Sequence, residues 1–157
     1  MLTDEEQGVL CVLFRSTFPS LNFKVYIFRK DTMINLISSS IREALKNPLN
    51  YTRNYLGDIL NSCIDRVIYL NFDVIMVDNI VKLWETNLTS TRVIGAPEYC
   101  HANFTKYFMD PFWFDPILSQ VFLTRNLCYF NTEIMVMDLV KWREGNYRKR
   151  IENWMEV

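Results

Sequence analysis

The side chains best suited to chemistry lie just after a short apolar run at positions 66–70. They are Asn71 and Asp73, which are separated by one residue. Side chains two positions apart in an extended segment point the same way, so both can reach one ion. Carboxylate and amide oxygens are hard ligands for divalent cations, and such a cation can neutralise charge on a departing phosphate group. An Asp at a strand end is also a common turn residue, so the spacing alone leaves both interpretations open.

The pattern around this pair predicts strands that alternate with helices. The β-branched, apolar run 66–70 suits a strand covered on both faces, as in a parallel sheet. Asp78 is a candidate cap for a helix over 80–85, and a strand over 92–96 should end at Pro97. The other predicted elements are strands over 23–28 and 129–137, helices over 51–60, 139–144 and 147–155, and loops with short helices over 98–127. Asp138 should cap the helix over 139–144, and Gly145 should end it.

This alternation favours an α/β fold with a mostly parallel sheet, in which ligands bind beyond the carboxyl ends of the strands. Residues 1–157 contain no repeat or flexible linker, so they read as one unit. The formal net charge of -1 gives no field that would attract nucleic acid. No apolar stretch is long enough for a membrane segment, and the N-terminus is acidic where a signal peptide is basic.

Cysteines and Asn-x-Thr tripeptides bear on the cellular compartment. The four cysteines are Cys11, Cys63, Cys100 and Cys128. Their wide spacing beside a single His argues against structural zinc and favours buried thiols, while two disulfides in any of three pairings stay open. The tripeptides begin at Asn50, Asn87 and Asn103 and fit the N-glycosylation sequon, which matters only in the secretory pathway.

A specific family resemblance rests on six segments of the sequence. They lie at 15–20, 48–56, 96–105, 128–132, 142–145 and 150–155. Their residues, order and spacing look like those of glycosyltransferase family 8, and most like its plant galacturonosyltransferase-like branch. The resemblance implies a GT-A fold with helices flanking the sheet, a UDP-sugar donor, a manganese ion (Mn²⁺) and sugar transfer with retention of configuration.

The resemblance also implies roles for individual residues. Asp73 matches the second acid of the family's Asp-x-Asp metal motif, and Asn71 stands in the place of the first. Arg53 matches an arginine that approaches the donor diphosphate, for which a planar, always-charged fork is suited. Asn131 matches an asparagine that touches the donor sugar, and its amide can both donate and accept. His101 reads instead as a structural histidine packed among aromatic residues.

Three departures from the family pattern bear on activity. Asn71 replaces a charged ligand by a neutral one, and since lost outer-sphere support alone costs about 10–100-fold in metal affinity, a lost charge should cost at least that order. Glu133 stands where the family has a glycine, which adds bulk and negative charge beside an anionic donor. The family's first nucleotide-binding strand and its C-terminal segment with a metal histidine have no counterpart in residues 1–157, so we expect a domain incomplete at both ends.

These observations predict a hexosyltransferase-like chain with weak or no activity of its own. Its relatives by resemblance transfer a sugar such as galacturonic acid from a UDP-sugar to a cell-wall polysaccharide such as pectin, in the Golgi lumen. The alternative is a degenerate relative that serves as a binding or scaffold partner of active transferases, or a truncated gene product. The sequence itself carries no signal or anchor that would fix its location.

Overall fold

The computed structural model describes residues 4–26, 28, 36–37, 41, 43–100, 108–120 and 129–155. Five strands fall within these residues, and they form two sheets. Strands β1 (Arg66–Leu70), β2 (Ile94–Gly95) and β5 (Ile134–Asp138) form a sheet in the order β1-β5-β2, while β3 (Glu98–Tyr99) pairs with β4 (Tyr129–Phe130). The chain is therefore a mixed helix-and-strand unit with a small sheet.

The predicted parallel sheet is wrong for these strands. Strand β5 is antiparallel to β1, with Leu70 opposite Ile134 and Arg66 opposite Asp138, and it is antiparallel to β2 as well. Burial on both faces is usual in parallel sheets, but it also results when an antiparallel strand enters the middle of a sheet. Here β1 and β2 run in the same direction with β5 between them, an order that periodicity does not encode.

Asn or Asp side chains cap three of the described helices at their N-termini. A 3-10 helix, Pro48–Tyr55, is capped by the Asn47 side chain and continues as α2 (Leu56–Ile59). The other described helices are α1 (Asp4–Thr17), a short 3-10 turn Glu43–Leu45, α3 (Ile80–Trp84), α4 (Asp110–Phe114), α5 (Leu139–Glu144) and α6 (Tyr147–Met155). Asp138 caps α5 and Gly145 ends it, as predicted.

Several sequence predictions need correction. Asn79 rather than Asp78 caps α3, because its side chain accepts from the Val81 N–H, whereas Asp78 pairs with Lys82. The strand predicted over 129–137 is divided by a turn at 131–133, and the one over 92–96 is only Ile94–Gly95. Residues 23–26 form no strand, Ile27 lies outside the described residues, and α1 had no counterpart in the prediction. The bounds of β1 and α6 agree with the prediction.

The core lies on the face of the sheet that α2, α5 and α6 cover. Its buried cluster comprises Met135, Met137, Leu139 and Trp142. Arg143 ties α5 to the end of α2 by donating to the carbonyls of Gly57 at 2.8 Å and Ile64 at 3.0 Å. The bond to Gly57 satisfies a carbonyl that a helix end leaves without a partner, and the bond to Ile64 holds the segment that leads from α2 to β1.

A buried hydrogen bond joins α6 to the 3-10 helix. The Tyr55 hydroxyl donates to Glu152 Oε1 at 2.9 Å, and both residues are buried. Arg148 balances the carboxylate charges, since it lies 3.7 Å from Glu152 and 3.3 Å from Asp58. Burial, and then the bond to Glu152, raise the pKa of Tyr55 to about 12, so the phenol stays a donor at neutral pH.

The cysteines differ in state. Cys100 is disulfide-bonded, whereas Cys11 and Cys63 are free thiols. Cys63 is exposed, Cys11 is only half-buried and Cys100 is not a thiol, so the expectation of buried thiols is wrong for these three residues. Two free thiols among four cysteines also rule out two disulfides. Among the described helices, none combines the length and the apolar character needed to cross a membrane.

Gly57 tests the packing of α2 on α5. A Cβ added to Gly57 would lie 2.9 Å from Trp142 Cδ1. Because both elements are packed, Gly57→Ala should lower the free energy of unfolding by about 1–3 kcal/mol in urea titrations. The matched control is Gly8→Ala in α1, where a Cβ would meet nothing within 4 Å. Equal effects of the two substitutions would contradict this packing.

The ionisation of Asp138 should make the free energy of unfolding depend on pH. Burial opposes ionisation, but hydrogen bonds from the backbone and ammonium of Lys141 hold the pKa of Asp138 below its usual 3.8. Because the pKa of Asp138 is lower in the folded state than in the unfolded state, the ionised carboxylate stabilises the fold. This stabilisation is fully present above about pH 5 and is lost as the pH falls through the pKa of the folded state. Asp138→Asn keeps the cap acceptor, and the free energy of unfolding should then depend less steeply on pH below about 5.

Candidate functional site

The candidate site lies at the edge of the sheet where β1 ends and β5 begins. The Asn71 N–H donates to the Glu133 carbonyl at 2.8 Å, which extends the β1–β5 ladder by one bond. The turn at 71–73 therefore lies beside the turn at 131–133, and we call these two turns the turn edge. The Asn131 N–H donates to the Pro97 carbonyl at 2.8 Å, so the chain leaving β2 meets the same edge.

Arg53 reaches the turn edge from the 3-10 helix. Its Nη1 donates to the Thr132 carbonyl at 2.5 Å, while Nε and Nη2 donate to the Asn50 carbonyl at 3.0 and 2.5 Å. The guanidinium carbon lies 5.5 Å from the centre of the Tyr69 ring on β1, within cation–π range. Arg53 thus connects the 3-10 helix, β1 and the turn edge. The sequence did not identify Thr132 or Tyr69 as its partners, because a backbone carbonyl leaves no side-chain signal.

Asn131 shapes the turn in which it lies. Its Oδ1 accepts from the Glu133 N–H at 3.0 Å, which is the bond of an Asx-turn. The side-chain oxygen is occupied, whereas the amide nitrogen makes no hydrogen bond within the described part of the chain and remains a possible donor. The structure thus gives Asn131 a turn role, and the donor-binding role of Arg53 and Asn131 stays a prediction.

The cation donors at the turn edge are few. Asn71 Oδ1 accepts from the Phe72 N–H at 3.1 Å, and Asp73 is exposed in the same turn. Across the described residues, no three His, Cys, Asp or Glu side chains gather into a group that could hold a metal ion. The carboxylates of Asp73 and Glu133 and the engaged side-chain amides of the two turns do not complete the oxygen-rich shell of a divalent cation. The metal role of Asp73 and Asn71 stays a prediction, and His101 lies outside the described residues.

Glu133 occupies its position without backbone strain. Among the described residues that are not glycine, Asn146 alone has a positive φ, at 48°. The backbone at 133 therefore does not need glycine, and the effect of Glu133 is confined to its side chain, which is exposed beside Asn71.

A cavity of about 340 Å³ borders Arg53 and Thr132, with Met135 and Met137 on its apolar side. This volume lies within the range of small-molecule pockets. Tyr51 also borders the cavity, and burial raises its pKa although the charge of Arg53 opposes the shift. Its phenol is therefore a donor at neutral pH. In the sequence, the helical spacing placed Tyr51 on the apolar face of a predicted helix, so its hydroxyl was not identified as a candidate site group.

Comparison with known proteins agrees with the resemblance seen in the sequence. The family model described as "Glycosyl transferase family 8" matches residues 12–157. "Probable galacturonosyltransferase-like 9" of Arabidopsis thaliana is 71% identical over 149 residues, covering 95% of this chain and 38% of the relative. "Probable galacturonosyltransferase-like 8" of the same plant is 69% identical, with the same shares covered, and "Probable galacturonosyltransferase-like 10" is 62% identical, covering 96% and 41%.

The chain thus spans about two fifths of the length of these curated relatives, 38% to 41%. No solved structure matches it.

Arg53→Lys tests the connection to the turn edge. Lysine lacks the fork that reaches two carbonyls, and loss of a bond from a charged donor should make the Asn71 and Asn131 N–H groups exchange about tenfold faster. Native-state hydrogen exchange measures this, with the Met137 N–H as an internal reference. The control is Arg150→Lys, an exposed arginine whose contact is with the Tyr147 ring. Unchanged exchange at Asn71 and Asn131 would show that Arg53 does not hold these turns.

Proposed function

We propose, because the chain belongs to glycosyltransferase family 8, that residues 1–157 are part of a GT-A-type domain that transfers a sugar from a UDP-sugar with retention. The identity of 71% and 69% over 95% of the chain carries this proposal. The donor we propose is UDP-galacturonic acid, since these relatives are named as galacturonosyltransferase-like. The acceptor is a pectin-like polysaccharide of the cell wall.

Arg53 supports the proposal through the guanidinium N–H groups that its hydrogen bonds to Asn50 and Thr132 do not use. Arginine has five N–H donors, and three hydrogen bonds to Asn50 and Thr132 fix the plane of the guanidinium. The remaining donors would approach the donor diphosphate in a fixed orientation, which limits the entropy lost on binding. Arg53 would act here as a binding residue for the leaving group.

Asn131 would contact the donor sugar. Its Oδ1 is held by the Glu133 N–H, so the amide nitrogen has a defined direction from which to donate to a hydroxyl. Manganese would supply charge neutralisation at the diphosphate in the family, but the donors at the turn edge do not make a complete cation site. We therefore assign no step to the metal, and we propose that this chain binds manganese weakly.

The two departures at the turn edge are neighbours. Asn71 donates its N–H to the carbonyl of Glu133, so the lost metal charge and the added carboxylate lie in adjacent turns. One departure changes the metal ligand and the other adds a charged side chain, but the two residues are in contact. The effects of substitutions at contacting residues are often non-additive. This supports weak or absent activity for the chain as it stands.

A second function is favoured by the apolar surface beside the turn edge. Phe72, Ile75 and Val77 are 96%, 85% and 94% exposed, and contiguous exposed apolar residues often mark protein contacts. A catalytically weak chain with such a surface suits a binding or scaffold partner of active transferases. Restoring catalysis by substitution separates the two functions.

We place the protein in the Golgi lumen. The disulfide at Cys100 supports this, since disulfides persist in oxidising compartments and are rare in the cytosol.

Reversion at the turn edge tests the transferase proposal. Residues 1–157 are placed within a full-length relative, and three versions are compared: unchanged, Asn71→Asp, and Asn71→Asp with Glu133→Gly. The restored carboxylate should raise manganese affinity by on the order of 10–100-fold. Each step alone should give little turnover, and the pair should give much more. UDP release from a panel of UDP-sugars is the measurement.

The control pair is Asn61→Asp with Glu85→Gly, which makes the same chemical changes at exposed positions outside the turn edge. Turnover by the unchanged version equal to that of the double revertant would show that neither departure matters. A double revertant that binds UDP and manganese but remains inert would favour the scaffold function.

A further inference from the structure

The folded chain presents its Asn-x-Thr tripeptides differently. Those at Asn50 and Asn87 are described, whereas Asn103 lies outside the described residues. We propose that Asn87 carries an N-linked oligosaccharide in the native protein and that Asn50 does not. The proposal rests on the proposed function in one respect, that the protein passes through the secretory pathway, because the modifying enzyme and its donor are found there.

Asn87 and Thr89 are the exposed residues of a segment, 86–89, that is neither helix nor strand. Thr86 and Leu88 are half-buried, while Asn87 and Thr89 are exposed. Arg66 donates to the Thr86 carbonyl from inside, and Leu88 Cδ2 would lie 3.1 Å from a Cβ built on Gly95. Because burial alternates along this segment, the residues that carry the acceptor amide and the required hydroxyl are both exposed to solvent.

The Asn87 side chain has no other structural duty. It makes no hydrogen bond or ion pair within the part of the chain that the structure describes. The backbone around it is fixed by other groups, since Lys141 Nζ donates to the Thr89 and Arg92 carbonyls at 3.2 and 3.3 Å. A glycan on Asn87 would therefore displace no contact of the fold.

Asn50 is in the opposite situation. It lies half-buried in the 3-10 helix, where the side chains of residues two apart point about 120° away from each other. The Thr52 hydroxyl donates to the Leu49 carbonyl at 2.7 Å, and Arg53 donates to the carbonyl of Asn50. A glycan on Asn50 would have to fit beside the packed turn edge, so a chain modified at Asn50 should not reach the folded state.

The chemistry is an oligosaccharyl transfer from a lipid-linked diphosphate donor. A bond forms between Asn87 Nδ2 and the anomeric carbon of the oligosaccharide, while the bond from that carbon to the diphosphate oxygen breaks. The amide nitrogen gives up one proton, and the lipid diphosphate leaves with the electron pair. The Thr89 hydroxyl is the second recognition group.

The test uses the full chain fused to a cleavable secretory signal and expressed in eukaryotic cells. The fusion imposes the compartment, so a negative result is separate from the question of location or of transferase activity. All versions carry Asn103→Gln, which leaves the two described acceptors. The secreted, folded fraction is treated with peptide N-glycosidase, and occupancy is read from the gel shift and from the conversion of the modified Asn to Asp.

The parent should lose one glycan's mass on treatment, and Asn87→Gln should abolish that shift. Thr89→Ala should abolish it and Thr89→Ser should retain it, whereas Asn50→Gln should leave it unchanged. An unmodified Asn87, or Asn50 occupied as fully as Asn87 in the folded fraction, would overturn the proposal.

Discussion

The antiparallel ladder between β1 and β5 supports both the core and the candidate site. Its register places Met135 and Met137 under the helices and continues by one bond, from the Asn71 N–H to the Glu133 carbonyl. A slip of one residue would move every side chain of β5 to the other face, which would take the core methionines away from the helices and offset the two turns. The position of the turn edge is thus a consequence of the same hydrogen bonds that bury the core.

The sequence predicted those elements whose ends are set by the residue types at the ends themselves. The apolar run of β1 ends at polar residues on both sides, and Asp138 and Gly145 bound α5 through a cap and a stop. Sheet direction was not predictable in this way, because β5 enters between β1 and β2 from far along the chain. The choice between Asp78 and Asn79 as cap also escaped prediction, since adjacent Asp and Asn have similar cap preferences and only the backbone path decides between them.

The site residues were found by resemblance, but their contacts were not. Arg53 and Asn131 each have a structural task that uses part of the side chain, and the family role would use the rest. Such double use explains why a plain structural interpretation and a binding interpretation both fitted the sequence. It also means that substitutions at these residues change the shape of the edge as well as its chemistry, so binding data need a structural readout beside them.

The bond from Tyr55 to Glu152 has a consequence for how the chain is made. It joins residues 97 positions apart, and α5 and α6, which complete the core over the 3-10 helix, also lie far along the chain from it. Contacts between distant residues form slowly because loop closure comes first. During synthesis, which proceeds at about 5–20 residues per second, the 3-10 helix and β1 therefore remain with apolar surface exposed until β5, α5 and α6 have been made. Chaperone binding to the nascent chain is the expected companion of this topology.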